Sequence, residues 1–136
     1  MLTRPTTDQV LVGIADELRD AIAPEVHSET LQVLLAQIDQ ILRGLAVRSA
    51  HEIAWMHEEA DTIAAVTCTD VGWPESLHLD EVCRWYDSVS RALSAALDAA
   101  FAAGDAVRIA ELKLLLDARS ATEMKIVGAL ELVGRG

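Results

Sequence analysis

Apolar residues recur at helical spacing along almost the whole chain. Val10, Leu11, Ile14, Leu18 and Ile22 follow one another at intervals of one, three and four, which places them on one stripe of a helix. Ahead of them Thr6-Thr7-Asp8-Gln9 has the form of a capping box, in which the Thr6 and Gln9 side chains each accept the other's backbone N–H. The stripe stops at Ala23-Pro24, because proline pushes its predecessor out of the helical region.

Ser28 is the next N-cap candidate. It opens a near-heptad rhythm through Leu31, Leu34, Ile38, Ile41 and Leu45 that continues with Ile53, Met56, Ala60 and Ile63. Unbroken to Val66, such a helix would extend about 58 Å at ~1.5 Å per residue. Gly44 and the weak apolar step from Arg48 to Ser49 therefore predict a bend.

Periodicity is lost from Thr67 to Leu79, where Gly72 and Pro74 flank Trp73; this reads as a loop, longer than the median connection of about 4–6 residues. Asp80 is placed to cap a third helix with Val82, Tyr86, Val89, Leu93, Ala96 and Ala100 inward, ending at Gly104. Its alanine-rich second half would let a neighbour approach closely. After Gly104-Asp105 a fourth helix folds back with Ile109, Leu112, Leu116, Glu123, Ile126, Leu130 and Val133 on one stripe, widened by Leu114 and Leu115. The expected fold class is all-α: a four-helix up-down antiparallel bundle with a long, bent second helix, in a single domain over 1–136.

Composition agrees with helices. Half the residues are apolar, mostly Ala, Leu, Val and Ile, and Phe, Trp and Tyr together make up only 4%. The formal charge of -11 would repel a polyphosphate backbone, so no nucleic-acid partner is expected. No apolar run approaches the roughly 20 residues that cross a bilayer, and Met1-Leu2-Thr3-Arg4-Pro5 lacks a signal-peptide hydrophobic region. A cytoplasmic location without membrane contact is the expectation. Cys68 and Cys83 do not make a disulfide framework in a chain this long and are read as free thiols.

Charge is unevenly spread. Between Arg48 and Arg84 there is no lysine or arginine, yet the segment holds eight carboxylates, three of the four histidines, two of the three tryptophans and both cysteines. Such a block is an acidic docking face or a metal site. Di-iron bundles need Glu-x-x-His on two helices and a further Glu from each of two others. Here Glu75 to His78 is the one such spacing in the block, and it lies in the loop. His51 and His57, six residues apart, point about 120° away from each other on a helix.

Cys68, His78 and Cys83 are too widely spaced for a zinc knuckle, and the glycines are scattered singly rather than gathered into a phosphate loop. The acid-first i, i+4 pairs Asp39/Arg43, Asp80/Arg84, Asp87/Arg91 and Glu131/Arg135 occupy much of the basic charge, at ~0.3–0.5 kcal/mol each. No catalytic, cofactor-binding or metal-ligating residue is assigned, and no cofactor is expected. The candidate partner interface is Trp55, His57, Glu58, Glu59, Trp73 and Trp85. Trp55 and Trp85, on helices, fit a core or rim position equally well. Trp73, on the loop, fits an interface anchor facing a partner with a basic rim.

The opening Arg4-Pro5-Thr6-Thr7-Asp8-Gln9-Val10-Leu11, followed by Ala15-Asp16-Glu17-Leu18-Arg19 and Ile22-Ala23-Pro24-Glu25, resembles a family of small helical bacterial proteins without catalytic motifs. Members are paired with aminoglycoside-phosphotransferase-like kinases, as accessory subunits in hydroxyacyl-CoA catabolism. The likeness covers the first helix and, more loosely, the second. It implies a non-catalytic companion of such a kinase, binding through an apolar, tryptophan-bearing helix face. Two other readings stand beside it: a self-associating helical protein that buries the same residues between copies, and a carboxylate/His dimetal enzyme on a helical bundle.

Overall fold

The computed structural model describes residues 4–127. Their regular structure is helical throughout: α1 (Thr7–Glu17), α2 (Glu29–Thr67), α3 (Leu79–Ala103) and α4 (Ala106–Val127). Among the described residues there is no strand, and no helix is long and apolar enough to cross a membrane. Leu130, Val133 and the Glu131/Arg135 pair lie outside the described residues.

Local chemistry accounts for most of the helix ends. At the start of α1 the Gln9 side-chain carbonyl accepts the Thr6 N–H at 3.1 Å, one arm of the capping box. The helical path then widens into a π turn over Leu18–Ile22 and tightens into a 3-10 turn over Ala23–Glu25, where Pro24 has no N–H to continue it. Helix α3 begins two residues earlier than the Asp80 cap predicts. His78 holds the N-cap position, and the Ser76 hydroxyl accepts the His78 N–H while donating to Glu81 at 2.7 Å. At the other end Gly104 takes the left-handed conformation, with its own N–H and that of Asp105 bonded back into the last turn of α3.

Helix α2 runs 39 residues and stays helical through Gly44, Arg48 and Ser49. Gly44 answers to a different demand: a Cβ built on it would sit 2.6 Å from the Ile126 carbonyl oxygen, so the residue admits the backbone of α4.

The chain divides into two compact units, one within Met1–Glu52 and Glu123–Gly136, the other Ile53–Thr122. In the first, Arg43 bonds Asp16 of α1 at 2.8 Å and Asp39 of its own helix at 3.0 Å. Asp8, at the start of α1, lies on the side of His51 while Asp16, about two turns on, meets Arg43, so α1 and this part of α2 run antiparallel. Among the described residues of this unit Ala15 and Ala46 are the buried ones, both small. The predicted stripes are only partly covered among the described residues here, with Leu11, Leu18 and Ile38 half-buried. Val10, Ile14, Ile22, Leu31, Leu34, Ile41 and Leu45 are each between 44% and 58% exposed.

The second unit has a filled interior. Ala60 and Ile63 of α2, Val89, Leu93 and Ala100 of α3, and Leu112 and Leu115 of α4 form one buried cluster, with Val66, Val71, Tyr86, Ile109 and Leu116 packed around it. Leu114 points outward at 67% exposure, so the fourth stripe is narrower than predicted.

Helix directions in this unit depart from up-down alternation. Glu59 meets Arg119, and about two turns on in α2 the Val66 carbonyl meets Arg108, so α2 is antiparallel to α4. The tight turn at Gly104 makes α3 antiparallel to α4 as well, with Ser90 beside Arg119. Helix α3 therefore runs parallel to the last turns of α2, and residues 68–78 double back alongside α2 before α3 begins. The expected alternation fails because this connection is long enough to return to the starting level instead of simply reversing.

Candidate protein-docking surface

The doubled-back loop is what assembles the candidate site. Cys68 leaves α2 in the left-handed region, with φ 55°, and Asp70 then accepts the Gly72 N–H at 2.8 Å in an Asx turn. Gly72 is also left-handed, and its carbonyl accepts the Trp85 indole N–H from α3 at 2.7 Å. The loop is thus tied to α3 one residue before Trp73.

That tie fixes the Trp73 ring between two helices. Its centroid is 3.5 Å from that of His57 on α2, tilted by 44°, and 6.2 Å from Trp85, nearly parallel at 13°. Trp73 nevertheless remains 63% exposed. One side of the ring is supported while the rest faces solvent. Leu77 and Leu79, which follow it, are 67% and 50% exposed.

His57 carries the supporting side. Its Nδ1 lies 3.5 Å from Asp61, one turn along the helix, while its Nε2 is buried without a hydrogen-bond partner. Leaving a buried polar atom unpaired costs about 1–3 kcal/mol, a penalty that packing of the indole offsets.

Of the six candidate residues, the structure brings His57, Trp73 and Trp85 together. Trp55 is half-buried on α2, and Glu58 is exposed. Glu59 is not available to a partner. Its carboxylate accepts from Arg119 Nε at 2.6 Å and from the Tyr86 hydroxyl, and the Arg119 guanidinium also reaches Ser90 at 3.3 Å and stacks 5.4 Å over the Tyr86 ring. Burial first, then the Glu59 carboxylate, raises the Tyr86 phenol above its ordinary pKa.

Sequence reasoning missed Tyr86 and Arg119 as Glu59's partners, and nothing local signals them, since Arg119 is 60 residues away. The Asp70-x-Gly72 pattern was a readable signal for the turn that positions Trp73. The Glu75 to His78 spacing stays in the exposed loop, and Cys68 and Cys83 are free thiols. Among the described residues no three His, Cys, Asp or Glu side chains converge as a ligand set. What the arrangement offers is contact area: a braced aromatic ring with exposed leucines and acids around it.

No family model, curated protein or solved structure matches the chain.

Proposed function

We propose that this protein is a non-catalytic binding subunit, and that the surface centred on Trp73 docks against a second polypeptide. The observation that carries the reading is that Trp73 is held in place yet open. Stacking on His57 and Trp85 has already restricted the ring, so little side-chain entropy remains to be lost on binding, and over half its surface is free to be buried. Glu58, Asp61, Glu75 and Asp80 lie exposed in the same segment, which supports a partner with basic residues at its rim.

For the partner's identity the support is the resemblance of the first helix. On that basis the partner is an aminoglycoside-phosphotransferase-like kinase acting on hydroxyacyl-CoA substrates, and this chain stabilises it or shapes its acyl-CoA site. The chain works as a cytoplasmic accessory protein with no reaction of its own.

Co-expression with a candidate kinase tests this. The wild-type chain is expected to co-purify with the kinase and raise its soluble yield, and Trp73→Ala with Glu58→Lys to reduce recovery of the complex at least about tenfold, a loss of ~1.4 kcal/mol. Glu59 is left intact so that its bonds to Tyr86 and Arg119 keep the second unit folded. Full recovery with the double variant would remove Trp73 from the interface.

A further inference from the structure

We propose that the face of α2 from Leu31 to Leu45 is a seam that packs against the same face of a second copy of this chain. The proposal does not rest on the kinase reading. Leu31, Ile38 and Leu45 occupy one core position of a heptad, and Leu34 and Ile41 the other, with spacings of four and three alternating. That is the 3.5-residue period at which two helices keep a common seam. Yet Leu31, Leu34, Ile41 and Leu45 are 49%, 48%, 58% and 45% exposed.

Area sets the expected strength of the contact at that of a concentration-dependent dimer. These four side chains present roughly 400 Å² of apolar surface per chain, half of the about 800 Å² per partner of a standard interface. Ile38, half-buried, lies within the seam, and the half-buried Leu35 and Leu42 flank it.

Charge selects the occupant. The chain carries -11, so two copies repel wherever their acids face each other. From Thr30 to Val47 the only ionisable residues are Asp39 and Arg43, which bond to each other. The positions flanking the seam are Leu35, Gln37 and Leu42, none of them charged, and Gly44, which the α4 backbone approaches. Along this stretch of α2 an identical helix meets no unpaired like charge, whereas the acid-rich segment between Arg48 and Arg84 would oppose it. A seam without charged flanks also gives no grip to a strongly basic partner.

Sedimentation velocity of the purified full chain, from a few to a few hundred micromolar, tests the seam. The expected result is a concentration-dependent dimer that Leu34→Lys with Ile41→Lys weakens at least about a hundredfold, since each lysine would be buried against an apolar face. Should the lysine variant lose helicity by circular dichroism, Leu34→Gln with Ile41→Gln decides, with about a tenfold weakening expected. Trp73→Ala with Glu58→Lys should leave the dimer unchanged, which separates this seam from the Trp73 surface. A wild-type chain that stays monomeric throughout, or a dimer that the seam variants leave intact, overturns the proposal.

Discussion

Glu59 and Arg119 offer the sharpest test of how the second unit is held. Glu59→Gln keeps the side chain's volume and an oxygen for the Tyr86 hydroxyl but removes the charge that faces Arg119 at 2.6 Å. Charge-assisted hydrogen bonds contribute about 1.5–3 kcal/mol, and the two side chains are 18% and 24% exposed, so solvent screening is partial. The expected loss is about 2 kcal/mol. Arg119→Met keeps the aliphatic stem but removes the bonds to Glu59 and Ser90 and the stacking over Tyr86, and should cost slightly more, ~2–3 kcal/mol.

The decisive quantity is the coupling. Urea denaturation of the two single variants and the double variant, followed by circular dichroism, should give a double variant less destabilised than the sum by about 1–2 kcal/mol, with unchanged m-values. Additive losses, with a coupling below about 0.5 kcal/mol, would mean that the pair is a solvated contact and that Glu59 does not need Arg119. In that event Glu59 would return to the set of residues available to a partner.

Two further outcomes follow from single positions. Tyr86 is the chain's one tyrosine, so absorbance at the tyrosinate band reports it alone. Because burial and Glu59 favour the protonated phenol in the folded state, its contribution to stability is present below the unfolded pKa of about 10 and is lost as pH rises above it. The folded protein should show little tyrosinate near that pH while the urea-unfolded chain is half ionised, and equal titration of both would contradict the burial. Gly44→Ala drives a Cβ into the Ile126 carbonyl oxygen at 2.6 Å, and overpacking of about 1–3 kcal/mol should exceed the up to ~1 kcal/mol gained in helix propensity. Gly13→Ala, with no atom within 4 Å, should stabilise instead, and thermal unfolding that moves both variants the same way would refute the close approach.

Periodicity located the helices because each element's pattern is local. The capping residues before Val10, the Gly104 terminus and the aperiodic stretch around Trp73 all act within a few residues, and the structure places elements there accordingly. Periodicity defines a face but not what covers it. That is why Val10, Ile14, Leu34 and Ile41 read as core and prove to be exposed, while Ile63, Val89 and Leu112 read the same way and are buried. Helix direction was equally hidden, since residues 68–78 suffice either to reverse the chain or to carry it back beside α2. The Asx turn at Asp70 and the indole bond to Gly72 favour the second path. Of the candidate site, His57 and Trp85 come to Trp73 through that path, and Glu59 is drawn away by an arginine that only the tertiary fold brings near.

The distribution of charge separates the two proposed surfaces on physical grounds. Association of identical acidic chains is opposed by their net charge, so self-association is favoured across a patch whose charges cancel, as those of Asp39 and Arg43 do between Thr30 and Val47. A different partner carries its own charge pattern and can complement acids, which suits a docking ring set among carboxylates, as Trp73 is. Had the exposed apolar stripe run through the acid-rich segment, or the braced tryptophan stood on the neutral stretch of α2, the two assignments would have exchanged. Neither surface needs the other: the seam is built from Leu31 to Leu45 in one compact unit, and the aromatic platform from His57, Trp73 and Trp85 in the other.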